Sequence, residues 1–308
     1  MLVLAGPGTG KTTTIVEAVA ARMAESAVAV RPDSSRQGGS AVGQPPVLIL
    51  TFGRAAADEL RERIATRIGT GVLPTVATFH SFSYALLREF CSAEVFATTP
   101  RLIDAADQDS RLRELLTNAV REGRVPWPVE LDAAIGTQGL AEQVRELLTR
   151  AQLLGFDELA LRQAAEEAGI AAWAALADFL GEYLDVLDAS GVLDYSELIH
   201  RAVVLASDPG ISDILRRRYR AIYVDEYQDT DPAQVQLLQA LTSVDSTLVA
   251  VGDPDQSIYG FRGADVGGIL RFQEDFPTAS GERPEVVVLR ETRRFGANVA
   301  QAASRIIR

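Results

Sequence analysis

Eight residues near the start of the chain, Ala5-Gly6-Pro7-Gly8-Thr9-Gly10-Lys11-Thr12, constrain what it can fold into more than any other stretch. Met1-Leu2-Val3-Leu4 before them reads as a buried strand, and Thr13 to Met23 after them carries helical apolar spacing. A glycine-rich turn between strand and helix, closed by Lys-Thr, is a phosphate-binding loop in the context that such a loop requires. Glycines let the backbone wrap closely around an oligophosphate, the N–H groups and helix dipole point at the anion, and Lys11 reaches the terminal phosphates. Thr12 then offers its hydroxyl to Mg²⁺. The plainer alternative is a glycine turn that binds nothing. Against it, Lys11 is the only lysine among 30 lysine and arginine residues.

A length of 308 residues predicts about two domains. With 47% apolar and 23% charged residues, the composition is that of an ordinary globular chain. No apolar run approaches the roughly 18 residues that span a bilayer. The N-terminus has no basic start and no cleavage site, so no signal peptide and a cytoplasmic location are expected. One cysteine, Cys91, excludes an internal disulfide and a thiolate zinc cluster. The net charge of −12 argues against a surface that is basic all over, but nucleic-acid affinity depends on the charges lining one groove.

Strand, loop and helix recur along the first 90 residues. Residues 31–46, rich in Ser, Gly, Gln and Pro, read as an exposed loop. Pro46 to Thr51 is a short apolar run typical of a buried parallel strand, and Ala56, Leu60, Ile64 and Ile68 follow at helical spacing. Thr75 to Thr78 is a third strand, leading through Phe79-His80-Ser81-Phe82 into another helix. This is the pattern of a parallel sheet with helices on both faces and ligands at the carboxyl ends of its strands. From about Val95 to Leu193 strand signals disappear. Sets such as Leu112, Leu115, Leu116 and Trp173, Leu176, Leu180, Leu184 predict an inserted all-helical subdomain, with Trp127 and Trp173 in its core.

The sheet resumes at Arg220 to Val224 and ends in Asp225-Glu226. Two acids at a strand end form the second half of a phosphate-loop ATPase: Asp225 holds Mg²⁺ and Glu226 deprotonates the attacking water. Such acids can also cap the next helix, but Asp231-Pro232-Ala233-Gln234 already has the form of that cap. Thr247 to Asp253 is a further strand, followed by Gln256, Tyr259, Phe261 and Arg262 at the mouth of the sheet, placed to read a phosphate and stack on bases. Glu285 to Leu289 is the last strand, before Thr292-Arg293-Arg294. Arg294 is either an arginine finger or half of a solvated pair.

Taken together, these motifs resemble the UvrD/Rep/PcrA-type DNA helicases of superfamily 1, in the right order over nearly the whole chain. Ala5 to Thr12 resembles motif I, Thr51-Phe52 motif Ia, Val224 to Asp229 motif II, and Gly252 to Asp265 motif III. The resemblance implies a P-loop NTPase, RecA-like fold with motor domain 1A at 1–94 and 194–283, helical subdomain 1B at 95–193, and the start of domain 2A at 284–308. It implies ATP with Mg²⁺, nucleotide contacts from Ala5 through Thr13 and from Arg262, catalytic roles for Lys11, Glu226, Gln256 and Arg294, and metal contacts from Thr12 and Asp225. Phe52, Phe79, His80, Tyr259 and Phe261 would face single-stranded DNA, and Arg262 would couple the two sites. DNA junctions and nuclease or repair proteins are further partners of this family.

Some residues depart from the family pattern. Thr292-Arg293-Arg294 stands where the family has Asn-Tyr-Arg, and Gly53-Arg54-Ala55 replaces polar and lysine residues after Phe52. The adenine-recognising glutamine motif and motifs V and VI are absent from the sequence, so the expectation is the N-terminal part of a 3′ to 5′ helicase with little unwinding alone. A motor subunit of a helicase and nuclease complex, or a non-catalytic nucleotide- and DNA-binding module, are the alternatives.

Overall fold

A computed structural model describes residues 1–29, 46–69, 72–91, 100–257, 267–296, 298–299, 301–302 and 305. Strands and helices alternate at first: β1 (Leu2–Ala5), α1 (Lys11–Ala29), β2 (Val47–Thr51), α2 (Arg54–Ile68), β3 (Thr75–Thr78) and α3 (Phe79–Phe90). A helical stretch follows: β4 (Arg101–Leu102), α4 (Ala105–Arg121), α5 (Gln138–Leu153), α6 (Glu158–Ala168), α7 (Ala171–Ala189), β5 (Val192–Leu193) and α8 (Tyr195–Ser207). The remainder is α9 (Pro209–Arg218), β6 (Ala221–Val224), α10 (Pro232–Leu241), β7 (Thr247–Gly252), α11 (Gly268–Asp275) and β8 (Val286–Leu289). The expected loop at 31–46 lies almost wholly outside the described residues.

Contacts divide the chain into two compact units, Met1–Phe82 with Ala206–Arg308, and Ser83–Leu205. The first holds a six-stranded sheet in the order β3-β2-β6-β7-β1-β8, with every pair parallel. Its strands are short apolar runs because both faces are covered. Val47, Ile49, Ala221, Tyr223, Val3 and Val251 join Ile15, Val16 and Val19 of α1 and Ala57, Leu60 and Ile64 of α2 in one cluster. The alternate residues Leu48, Leu50, Ile222, Val224 and Ala250 are equally buried on the opposite face.

β8 belongs to this sheet, with Leu2 opposite Val286 and Ala5 opposite Leu289. Residues 284–308, expected to open a further domain, therefore begin with an edge strand of the first unit. Val286 and Val288 are exposed on it.

The second unit is helical around its own cluster, which includes Leu112, Leu116, Leu148, Phe179, Leu180 and Leu187. Trp127 packs its ring edge-on against Phe179. The pairing of β4 with β5 adds a parallel bridge too short to show in the sequence pattern. A polar knot sits inside: Tyr183 donates to Asp194 at 2.8 Å, Gln108 donates to both, and Gln152 and Arg201 donate to Glu197. Burial pushes the carboxyl groups of Asp194 and Glu197 up. Among the described residues no helix is long and apolar enough to cross a membrane.

Candidate functional site

Because all six strands run the same way, their carboxyl ends meet along one edge, and the sequence motifs fall there. β1 ends in the phosphate loop, β2 in Thr51-Phe52, β3 in Phe79-His80, β6 in Asp225-Glu226, β7 in Asp253 to Gln256, and β8 leads to Thr292-Arg293-Arg294. The parent strand of the loop, β1, lies between β7 and β8 while the chain continues into β2 three places away. Such a reversal of strand order opens a crevice for ligands.

In the loop, Gly8 and Gly10 have φ of 73° and 102°, values that favour glycine. Thr9 folds back on itself, its N–H and its hydroxyl both donating to Gly6 O. Thr14 closes the first helical turn by donating its hydroxyl to Gly10 O at 3.0 Å. Lys11 crosses to the other half of the site, where its Nζ donates to Glu226 Oε2 at 3.0 Å. Thr13 points elsewhere, since its hydroxyl accepts from Arg63 Nη2 of α2 at 2.8 Å.

Glu226 is the one non-glycine residue with positive φ among the described residues, at φ 51° and ψ 46°. A left-handed conformation of this kind costs of order 1–3 kcal/mol and gathers at functional sites. It turns the chain sharply after β6. Strand alternation puts Asp225 on the same face as Tyr223, the face that α1 covers. Asp225 is buried, and its Oδ1 has no hydrogen-bond partner among the described residues. Burial, and next Glu226 beside it, push its carboxyl up to about 6 while Lys11 pulls the other way. Thr51, at the neighbouring strand end, likewise buries an unpartnered hydroxyl.

One further residue joins the end of β6 to the end of β7. Gln228, 1% exposed, donates from Nε2 to Glu226 Oε2 at 2.9 Å and accepts from Asp253 N at Oε1. Asp253 in turn accepts from Gln256 Nε2. Gln228 and Thr51 are absent from the residue set expected above, because their surroundings come from the packing of strand ends and no local spacing marks them. The segment after β8 closes over the loop: Thr292 donates its hydroxyl to Pro7 O at 2.8 Å and Arg293 N donates to Gly8 O at 2.9 Å. A Cβ on Gly8 would clash with Arg294 Cβ. Arg294 thus lies directly against the phosphate loop.

The DNA-facing set is less uniform. Phe52 is half-buried at the end of β2. His80 is half-buried, and burial lowers the pKa of its imidazole. Phe79 is only 2% exposed, so its ring is taken up by the core and presents no face for a base. Tyr259, Phe261 and Arg262 lie outside the described residues.

A parallel sheet, a glycine loop feeding a helix, and an acid pair on a nearby strand with the loop lysine on one acid define a P-loop NTPase fold. The chain belongs to the UvrD/REP helicase N-terminal domain family, whose model matches residues 1–277. It is 30% identical over 313 residues to the ATP-dependent DNA helicase PcrA of Bacillus subtilis and 32% identical over 321 residues to the ATP-dependent DNA helicase UvrD1 of Mycobacterium tuberculosis. In each case all of this chain aligns with 37% of the relative, so the chain spans little more than a third of their length.

Proposed function

We propose that this chain is the first motor domain of an ATP-driven DNA helicase that moves 3′ to 5′ on single-stranded DNA. The observation that carries the reading is the 3.0 Å contact between Lys11 and Glu226, which joins the phosphate loop to the acid pair across 215 residues of sequence. In this reading the sheet unit is domain 1A, the helical unit is subdomain 1B, and the residues after β8 approach domain 2A.

The loop N–H groups and Lys11 bind the triphosphate, and Lys11 stabilises the charge that develops on the transferred phosphoryl group. Glu226 takes the proton of the attacking water, Gln256 reads the γ-phosphate, and Arg294 neutralises it. The residues present fit Mg²⁺: Thr12 and Asp225 offer hard oxygen ligands, and Asp225 Oδ1 is buried without a partner. Mg²⁺ would neutralise charge on the phosphates there. Phe52 and His80, with Tyr259 and Phe261, form the track for single-stranded DNA and its junctions, and Arg262 links that track to the nucleotide.

The test is ATP hydrolysis by this chain with and without single-stranded DNA, beside the Glu226→Gln variant. Turnover that exceeds the variant and rises with DNA supports the reading. Equal rates in both proteins would leave a binding module without catalysis.

A further inference from the structure

Gln228 links two strand ends of the site through directed contacts, yet the proposed mechanism gives it no part. Its amide nitrogen donates to Glu226 Oε2 at 2.9 Å and, more weakly, to Asp229 Oδ2 at 3.4 Å. Its amide oxygen accepts the backbone N–H of Asp253 at 2.9 Å, and its own carbonyl accepts the hydroxyl of Ser257 at 3.2 Å. Gly252 leaves room for this approach, since a Cβ there would lie 2.7 Å from Gln228 Oε1 and 3.3 Å from its N. The side chain is therefore a rigid strut between the end of β6 and the end of β7.

On the Glu226 carboxylate, Lys11 and Gln228 both donate to Oε2. Oε1 has no hydrogen-bond partner among the described residues. When a phosphate draws Lys11 away, Gln228 is the donor that keeps Oε2 in place and leaves the lone pairs of Oε1 for a water proton. The far end of the strut meets Asp253, whose carboxylate is held by Gln256. A displacement of Gln256 thus reaches Glu226 through three hydrogen bonds, by way of Asp253 and the buried Gln228.

We infer that Gln228 is a positioning residue for hydrolysis, orienting the Glu226 carboxylate and transmitting to it the state of Gln256. This rests on Glu226 being the general base. Glu226 sits on a left-handed backbone that its own side chain does not stabilise, so orientation must come from its partners. A misplacement of about 1 Å in a catalytic group costs on the order of 10²-fold in rate.

The experiment compares steady-state ATP hydrolysis by the parent chain, Gln228→Met, Glu226→Gln and the double variant. Methionine keeps the length and burial while removing every side-chain hydrogen bond. Expected is a fall in kcat of about 10²-fold with KM for ATP within about threefold, because binding and orientation are separate. In the Glu226→Gln background the same change should then cost nothing further, since residues acting as one unit are not additive. A parental kcat in Gln228→Met overturns the inference, as does a loss of ATP binding that parallels the loss of turnover, which marks a structural strut. If Gln228→Met does not fold, Gln228→Glu at alkaline pH keeps the acceptor for Asp253 N–H and lacks the donor for Glu226. The same fall in kcat is expected there, and parental turnover overturns the inference. Equal rates in the parent and Glu226→Gln would instead defeat the reading of Glu226 itself, whatever Gln228 does.

Discussion

Lys11 and Glu226 hold each other in the structure, and that pairing sets what each can do. A lysine 11% exposed against a glutamate 34% exposed is partly shielded from water, so salt screens the pair less than a surface ion pair. Nucleotide must exchange one partner of Lys11 for another. Glu226→Gln removes the competing charge, and the variant is expected to bind ATP more tightly while hydrolysing it about 10²-fold or more slowly. Isothermal titration beside a turnover assay separates the two effects, and weaker binding would contradict the exchange. Lys11→Ala should lose nucleotide binding while keeping the parental thermal unfolding curve; unchanged turnover would remove Lys11 from the site. Lys11, Asp225 and Glu226 were legible in the sequence because a glycine loop and an acid pair have few other uses after a buried strand. Gln228 was not, because its partners come from the register of β6 on β7, which no local spacing reveals.

Among the elements, α10 carries an unusual start. Asp231 caps it, accepting from Gln234 N at 2.8 Å, as the Asp-Pro-Ala-Gln spacing predicts. Burial pushes this carboxyl from an ordinary 3.8 up to about 7, with the N–H groups of Gln234 and Ala233 pulling the other way. A folded state that keeps its proton to higher pH is favoured below the ordinary value and loses that advantage as pH rises from about 4 through about 7. Asp231→Asn keeps the acceptor and cannot ionise. It should melt with the parent near pH 4 and above it at pH 8, and coincident melting at pH 8 would remove the buried charge as the cause. The phosphate loop is the second such element. Gly8→Ala combines a left-handed φ with a clash against Arg294 and should lower nucleotide affinity roughly tenfold or more. Hydrogen exchange at Arg293 N–H, which donates to Gly8 O, should quicken in step; unchanged exchange and affinity would mean that the segment yields without cost.

Across the whole molecule, the sheet unit and the helical unit each have buried clusters of their own among the described residues. The helical cluster draws only on residues of its own unit, and Leu148 at its centre is fully buried. Leu148→Ala should cost about 2–5 kcal/mol in unfolding while leaving nucleotide affinity at the parental value below the transition. An equal loss of affinity would show the cores to be coupled. The change from alternating strands to helices was readable because hydrophobic period changes with it. The exact limits of the helical unit were not, because Ser83 to Phe90 has the same helical pattern whichever unit it joins. Nor was the place of β8 in the sheet, since an exposed edge strand carries no signal of its neighbour. That placement matters for the order of events during synthesis. Both neighbours of β1, β7 and β8, are made last among the described strands, although β1 is made first. At about 5–20 residues per second, tens of seconds separate Leu2 from its partner Val286. The helical unit is wholly translated within that interval, and the loop at the end of β1 waits for Thr292 and Arg293 before it can take its final shape.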